Sequence, residues 1–214
     1  PFLSVVRYMW GNPILRNVVV AGTLTAFAGY ASVIWVPIYL VRIHELGTGE
    51  AGTYLALTIG VGGAIGIYLG GRLADYLGRI YGEHWLGWIV TIAGLLSVPF
   101  MYLCFFAATP EIAILVYSIP AFVGTVYVAC SFALIQNHTP LEMRSVCAAI
   151  NLFIMNIIGL GLGPFTIGLF SDLFSASMGG DGLRYALLVT LVAITLGSWF
   201  YYRTGVFVLR AKSR

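Results

Sequence analysis

The chain alternates between long apolar runs and short connections that hold most of its charged residues. Each run has about 20 residues or more, the length that a helix needs to cross a hydrocarbon core of about 30 Å. Because backbone groups inside a bilayer must be paired within the segment, we expect each run to be a helix. The six runs lie at 18–41, 51–71, 85–106, 111–135, 145–170 and 185–204.

A shorter amphipathic stretch, residues 1–17, precedes the first run. Its large apolar residues Phe2, Val6, Met9 and Trp10 fall on one side of a helix. We therefore expect a lead-in helix at the membrane interface, broken at Asn12-Pro13 and serving as an interdomain linker. The expected domains are this linker, a bundle at 18–204 and a basic cytoplasmic tail at 205–214. A chain that begins with Pro1 and has no signal peptide also suggests a piece of a longer protein.

The composition excludes a soluble domain. Hydrophobic residues make up 60% of the chain and charged residues 9%, with a mean hydropathy of +0.94, whereas soluble domains carry roughly 25% charged residues. The basic residues form no face that could follow a phosphate backbone, so nucleic acid is not an expected partner. Three cysteines in or beside apolar runs predict packing residues rather than disulfides. No cofactor and no metal site are expected.

Basic residues are distributed unequally between the two sets of connections. Nine of the 11 Lys and Arg residues fall on the side that holds both termini, and two, Arg42 and Arg184, fall on the other side. Cytoplasmic connections carry the excess of basic residues in membrane proteins. Both termini are therefore predicted to be cytoplasmic, with the plasma or inner membrane as the expected location.

The charged segment at residues 70–79, between two apolar runs, is predicted to form a tight connection at the cytoplasmic face, with Gly71 and Gly78 allowing sharp turns. It resembles the signature loop of the major facilitator superfamily, glycine-x-leucine-alanine-aspartate-x-x-glycine-arginine. The matching residues are Gly71, Leu73, Ala74, Asp75, Gly78 and Arg79, whereas Tyr76 and Ile80 replace residues that are usually basic.

This resemblance implies an all-α membrane fold and a transport function without enzyme activity. In the superfamily the loop joins the second and third helices of each six-helix half, and its loss of basic residues is typical of the C-terminal half. The chain is therefore expected to be that half of a twelve-helix fold. Its expected partners are the N-terminal half of the same transporter, membrane lipids and a small amphipathic substrate.

A second set of segments resembles the spinster-like branch of the superfamily: MRS at 143–145, AAINLF at 148–153, NIIGLGLGP at 156–164 and GLFSD at 168–172. That resemblance implies export of lipid-like substrates such as sphingosine-1-phosphate or lysophospholipids, linked to protons. A multidrug or organic-anion exporter of the same superfamily is an alternative, as is a non-transporting receptor or scaffold. An intramembrane protease is disfavoured, because no histidine or aspartate lies in the middle of a run.

The family pattern also implies a cytoplasmic gate. Asp75 would pair with Arg144, at the start of the fifth run, and with Arg79 the two would clamp the cytoplasmic ends of the second and fifth runs when the transporter is open to the outside. A charge-assisted contact that forms in one state and is hydrated in the other biases the equilibrium by about 1–3 kcal/mol. Two unrelated solvated charges are the alternative. The proposed gate residues are Gly71, Asp75, Gly78, Arg79 and Arg144.

Uncharged polar residues inside the runs are candidates for a substrate cavity, or for hydrogen bonds between helices. In the fourth run, Tyr117, Pro120, Gly124, Tyr127 and Ser131 recur at spacings of three and four. The complete set of candidates is Thr25, Tyr30, Tyr117, Tyr127, Ser131, Asn151 and Asn156, and Thr23 and Ser32 accompany them in the first run. Because no charged residue lies mid-run, the carboxylate of a coupled carrier is expected in the other half.

Small residues mark two places where helices are expected to approach closely, either as ordinary packing or as a moving contact. Gly62, Gly66 and Gly70 are four residues apart in the second run, a spacing that lets helix backbones meet in lipid. In the fifth run, Gly159 and Gly163 precede Pro164, which removes a backbone donor and favours a kink. This second pattern loosely resembles the glycine-proline motif of antiporters in the superfamily.

Overall fold

A computed structural model describes residues 2–212, and the secondary structure in that range is helical throughout. The lead-in forms α1 (Phe2–Gly11) and the first run forms α2 (Pro13–His44). The break between them has a local cause. The Asn12 side chain accepts a hydrogen bond from the Ile14 N–H at 2.9 Å, which caps α2. Pro13 occupies the first turn, where no N–H donor is needed.

The other apolar runs form helical segments in chain order. They are α3 (Thr48–Leu55), α4 (Gly62–Tyr81), α5 (Trp85–Phe105), α6 (Pro110–Val123), α7 (Val126–Asn137), α8 (Arg144–Ile154), α9 (Gly163–Met178) and α10 (Gly182–Lys212). Two π-helical segments connect neighbouring α-helices without a break. Ala56–Val61 joins α3 to α4, and Met155–Leu162 joins α8 to α9. Short 3₁₀ turns at Leu141–Met143 and Gly179–Asp181 precede α8 and α10.

Within residues 2–212, five stretches are long and apolar enough to cross a membrane: Pro13–His44, Thr48–Tyr81, Trp85–Phe105, Pro110–Asn137 and Leu141–Lys212. The first four correspond to the first four predicted runs. The fifth and sixth predicted runs fall together in the last stretch, which has 72 residues and contains the turn at Gly179–Asp181.

The prediction that residues 70–79 form a tight connection was wrong. These residues are the second half of α4, which continues to Tyr81. The chain turns instead at Gly82, whose φ of +105° is a conformation that glycine adopts without steric cost. Gly71 and Gly78 therefore lie in a helix, where an added Cβ at Gly71 would meet open space and one at Gly78 would lie 3.9 Å from Leu86. Glycine lowers helix propensity without preventing a helix.

Contacts between connections show which helix ends lie together. The connection after α4 meets the end of α7, where the Asn137 amide donates to Glu83 at 2.9 Å. We call this the Glu83 end. At the opposite end, Tyr39 of α2 donates to the Cys104 carbonyl at 2.8 Å, and Arg184 of α10 donates to the Phe105 carbonyl at 3.0 Å. We call this the Arg184 end. Successive membrane-length segments therefore alternate in direction.

The buried apolar side chains form two clusters, one toward each end of the bundle. The cluster at the Glu83 end includes Met9 of α1, Leu15 of α2 and Leu134 of α7. The cluster at the Arg184 end includes Leu40 of α2 and Phe105 of α5. Burial of Val5 and Met9 docks α1 onto the bundle, whereas Leu3 and Trp10 stay exposed. The region between the two clusters contains the cavity described below.

Candidate functional site

A cavity of about 240 Å³ lies between the two apolar clusters. It is bounded by α2, α5, α6, α7 and α10, and by Ile59 of the first π-helical segment. Gly29 of α2, where an added Cβ would meet no atom within 4 Å, helps to leave the space open. Concave and mostly apolar spaces with a few polar groups are the usual form of small-molecule sites.

Four of the candidate cavity residues line this space: Thr25 and Tyr30 on α2, Tyr117 on α6 and Tyr127 on α7. Tyr30 and Tyr127 lie near the middle of the membrane-length stretches Pro13–His44 and Pro110–Asn137. Ser97 and Ser198, which the sequence did not single out, line the cavity as well. An isolated serine in an apolar run belongs to no periodic pattern of polar residues, so the sequence does not indicate which face of the helix it occupies.

Several hydroxyl groups of the lining are occupied by their own helices. Thr25 donates to the Ala21 carbonyl at 2.9 Å, Ser97 to the Ala93 carbonyl at 2.8 Å and Thr125 to the Phe122 carbonyl at 3.1 Å. This pattern satisfies a hydroxyl inside a membrane without a second helix. These three groups therefore have no further proton to donate to a ligand.

Tyr30 makes a hydrogen bond to another helix instead. Its phenol donates to Asn156 Oδ1 at 2.9 Å, and the Asn156 amide donates to the Leu152 carbonyl at 2.8 Å. Asn156 does not line the cavity directly and reaches it through Tyr30. The contact joins α2 to the π-helical segment Met155–Leu162.

The remaining cavity candidates, Ser131 and Asn151, lie in a buried cluster beside α10 and α2. Ser131 and Tyr201 are hydrogen-bonded through their hydroxyl groups. The Asn151 amide donates to Met155 Sδ at 3.2 Å, and that sulfur would lie 3.3 Å from a Cβ at Gly22. Asn151 is fully buried, and its Oδ1 has no partner within residues 2–212. These two residues therefore join helices rather than line the cavity.

Two further features dock the fifth run onto α2. Trp35 donates its indole N–H to the Pro164 carbonyl at 2.9 Å. A Cβ at Gly159 would lie 3.0 Å from Ala26 Cβ, and one at Gly163 would lie 2.6 Å from the Phe27 carbonyl oxygen. Pro164 occupies the first turn of α9, directly after the π-helical segment. The change in helical pattern thus occurs before the proline, where α2 approaches most closely.

The glycines of the second run differ in what they contact. A Cβ at Gly66 would overlap the Phe122 carbonyl oxygen, and one at Gly70 would overlap the Val126 side chain. A Cβ at Gly62 would meet open space. The predicted close packing therefore holds at Gly66 and Gly70 and was wrong at Gly62. Gly62 lies at the first position of α4, where a shallow groove lined by Ser118 and Phe122 separates it from α6.

The proposed gate residues lie toward the Glu83 end. Asp75 and Arg79 are exposed on α4, and Ala74, which directly precedes Asp75, is buried. Arg144, at the first position of α8, donates its Nε–H to the Thr139 carbonyl at 3.0 Å. The two ion pairs of residues 2–212 are formed by other residues, so Asp75 and Arg144 are not paired here. They nevertheless lie toward the same end, because α4 and α7 both finish there.

The acidic group with the most contacts at this end is Glu83. The hydrogen bond with His138 is the main cause that lowers the pKa of the Glu83 carboxyl, and Asn137 adds to it, while partial burial opposes the shift. The positive charge of Lys212 at the end of α10 acts in the same direction. Sequence reasoning missed this contact, because the residues that form it lie far apart in the chain.

Three comparisons with known proteins bear on these observations. The model of the Major Facilitator Superfamily matches residues 1–164. An MFS-type efflux pump of Mycolicibacterium smegmatis is 34% identical over 192 residues, which is 87% of this chain and 44% of the pump. The chain thus spans less than half the length of this relative.

The fold is similar to that of a bacterial homolog of the human lysosomal transporter Spinster. The inward-facing and occupied crystal structure matches with a TM-score of 0.81 at 20% identity, over 91% of this chain and 50% of the other. The inward-facing and unoccupied crystal structure matches with a TM-score of 0.84 at 19% identity, over 98% and 51%.

Proposed function

Because this chain belongs to the major facilitator superfamily, we propose that it is one six-helix half of a secondary transporter that works by alternating access. Relatives about twice its length support a second half, which would pack against this one and complete the substrate pathway. The loss of basic residues from the signature segment favours the C-terminal half. The partners in this proposal are the N-terminal half, the surrounding lipids and a small amphipathic substrate.

In this proposal the chain crosses the membrane six times, and two of these crossings lie in the stretch Leu141–Lys212. A single helix of that length would extend roughly 110 Å at 1.5 Å per residue, several times the thickness of a hydrocarbon core. The turn at Gly179–Asp181 provides a reversal, since Gly179 has a φ of +61°. Close packing of α9 on α10 supports it, because a Cβ at Gly182 would lie 2.5 Å from the Ser175 nitrogen.

The proposed orientation places the Glu83 end and both termini in the cytoplasm. Arg79 and Arg144 belong to that end, and α10 carries Arg203, Arg210 and Lys212 toward it. The opposite end holds Arg42 and Arg184. The excess of basic residues on one side supports this orientation.

The proposed substrate is a lipid-like or amphipathic small molecule that the transporter exports. The single observation that carries this proposal is the chemistry of the cavity: its lining within residues 2–212 consists of apolar, aromatic, glycine and hydroxyl residues and contains no charged side chain. An apolar tail is stabilised by such a wall, whereas a fully charged solute gains nothing from it. The carboxylate that couples export to protons belongs, in this proposal, to the N-terminal half.

The proposed gate uses the exposed charges near the Glu83 end. In the outward-open state Asp75 and Arg79 would approach Arg144 and close the cytoplasmic mouth, with Gly71 and Gly78 allowing the helices to meet. In the structure described here Arg144 donates to a backbone carbonyl, so the proposed ion pair is open. A contact that exists in one state stabilises that state selectively.

A multidrug exporter is the second candidate. The observation that favours it is the 34% identity to a protein described as an MFS-type efflux pump. The same uncharged lining would accept aromatic drugs through Tyr30, Tyr117 and Tyr127. An organic-anion exporter fits less well, because an anion would need a cationic partner from the other half.

Flux measurements on the complete transporter test the proposal. Proteoliposomes would be loaded with a fluorescent lysolipid or with a fluorescent aromatic drug, and efflux would be followed with and without a proton gradient. Faster efflux of the lysolipid, lost when an ionophore removes the gradient, is expected. Efflux of the drug alone would favour the second candidate. Equal rates in empty and protein-containing liposomes for both compounds would contradict a transport function.

A further inference from the structure

Four hydroxyl groups that line the cavity make no hydrogen bond within residues 2–212. That of Ser198 faces Gly94 of α5, and the other three belong to Ser32, Tyr117 and Tyr127. Ser32 of α2 is 4% exposed, and its Oγ is buried without a hydrogen-bond partner within residues 2–212. The phenol groups of Tyr117 and Tyr127 make no hydrogen bond in the same part of the chain, unlike that of Tyr30. All three residues line the same cavity and come from three helices.

An unpaired hydroxyl in an apolar space has an energetic cost, and a ligand or a water molecule that accepts its proton removes that cost. The neighbouring hydroxyls of Thr25, Ser97 and Thr125 avoid it by bonding to their own helices. Ser32, Tyr117 and Tyr127 do not. Since a folded protein rarely leaves several donors unused beside an apolar space, the buried Ser32 hydroxyl and the two phenols around one cavity indicate an acceptor from outside the chain.

The charge of this acceptor follows from the rest of the lining. A charged group in a space of low dielectric constant needs an opposite charge, or it is strongly disfavoured. The lining residues of this half supply none. A neutral oxygen acceptor needs only hydrogen-bond donors, and the cavity supplies three. The apolar remainder of the wall, including Val33, Met101 and Ile194, suits a hydrocarbon chain.

We infer that Ser32, Tyr117 and Tyr127 form a subsite for an uncharged hydrogen-bond acceptor, such as the ester or amide carbonyl of an amphipathic substrate. This inference rests on the proposed function, because it assigns part of the substrate to the cavity of the exporter. It also assigns the parts of the substrate to the two halves of the transporter. Any charged group on the substrate contacts the other half, whereas this half binds the neutral linkage and the apolar tail.

The test measures equilibrium binding to the complete transporter in nanodiscs with three radiolabelled probes of equal chain length. A monoacylglycerol carries a neutral carboxylic ester, an alkyl phosphate carries an anion and no carbonyl, and an alkyltrimethylammonium ion carries a cation. The variants are Tyr117→Phe, Tyr127→Phe and Ser32→Ala. Ser118→Ala is the matched control, because its hydroxyl lies on the same helix as Tyr117 but outside the cavity and is already bonded to the Leu115 carbonyl.

Each of the three variants is expected to weaken binding of the neutral ester about fivefold, as the loss of one hydrogen bond does, while Ser118→Ala leaves it unchanged. Binding of the two charged probes is expected to change in none of the variants. Unchanged ester binding in all three variants would overturn the subsite, since water would then satisfy the hydroxyls, and transport itself would be unaffected. Absence of both binding and efflux for every probe would overturn the proposed function.

Thermal stability without ligand separates binding from folding at Ser32. Removing an unpaired buried hydroxyl leaves no new unsatisfied group, so Ser32→Ala should melt at the same temperature as the original protein or higher. Ser32→Thr, which keeps the hydroxyl, should restore ester binding. A lower melting temperature for Ser32→Ala, with weaker binding of all three probes alike, would show a structural role and overturn the assignment of this residue.

Discussion

Glu83 accepts a hydrogen bond from the Asn137 amide at 2.9 Å, and the Nε2 atom of His138 lies 3.2 Å from the same carboxylate oxygen. The contact joins the connection after α4 to the end of α7. Tyr8 of α1 also donates to the His138 carbonyl at 3.0 Å. These bonds hold three helices together at one end of the bundle, so movement of that end should involve them as a unit.

Replacing the Glu83 carboxylate should destabilise this end in a pH-dependent way. The pKa of Glu83 is lowered from its ordinary value of 4.5, so its charged form stabilises the fold above that value. The stabilisation is lost as the pH falls through the lower pKa of the folded state. We expect Glu83→Gln to lower the stability of the complete transporter by about 1 kcal/mol or less at neutral pH, since the pair is partly exposed.

Melting curves in detergent from pH 8 to pH 4 check this prediction. The difference between the original protein and Glu83→Gln should be largest at neutral pH and should shrink below about pH 4.5. Glu142→Gln is the control, because Glu142 is exposed and has no ion pair within residues 2–212. A difference that stays constant over the whole range would exclude the charge of Glu83 as its cause.

The positions of the helices could be predicted from the sequence because bilayer thickness fixes the length of each apolar run. Turns were harder to locate. Residues 70–79 contain three glycines and three charges and suggest a loop, yet they lie in α4, since helix packing at Gly70 and Ala74 outweighs their low propensity. The chain reverses instead at Gly82, a glycine that lies outside the signature segment.

The cavity was predictable in part. The spacing of Tyr117, Pro120, Gly124 and Tyr127 indicated one face of a helix, and all four line the cavity. The direction of Asn151 and the partner of Tyr30 depend on which helices pack together, and no pattern along a single run contains that information. The open space at Gly62 has the same cause, since the four-residue spacing does not show where along α4 the contact with α6 ends.

Neutralising Asp75 should shift the transporter toward its inward-open state. In the proposed gate this carboxylate pairs with Arg144 only when the cytoplasmic mouth is closed, so Asp75→Asn removes stabilisation from the closed state alone. With a contribution of about 1–3 kcal/mol, the ratio of the two states should change at least about fivefold. The measurement is the labelling rate of a cysteine introduced at exposed Ser145 by a membrane-impermeant reagent applied from the cytoplasmic side.

The three native cysteines are buried, which keeps their own labelling low in this experiment. Asp172→Asn, which removes an exposed carboxylate from α9, is the control. Labelling at Ser145→Cys should rise with Asp75→Asn and stay constant with Asp172→Asn. An unchanged rate in the first variant would show that Asp75 does not take part in the gate.

Two glycines of one repeat should respond differently to alanine. A Cβ at Gly66 would overlap the Phe122 carbonyl, so Gly66→Ala must push α4 and α6 apart, at an expected cost of about 1–3 kcal/mol. Gly62→Ala meets open space and should be neutral or stabilise the helix by up to about 1 kcal/mol. Melting temperature and efflux rate check both variants. Equal losses at the two positions would contradict the close approach at Gly66.

The hydrogen bond from Tyr30 to Asn156 should couple α2 to the π-helical segment Met155–Leu162. It is 2.9 Å long and lies beside the cavity, where water competes weakly. Tyr30→Phe, Asn156→Ala and the double variant form a thermodynamic cycle, measured as free energies of unfolding in mixed micelles. Hydrogen bonds between membrane helices contribute about 0.6 kcal/mol on average, and we expect a coupling of that order. Strictly additive effects would show that the two residues act independently, and the contact could then not hold the segment against α2.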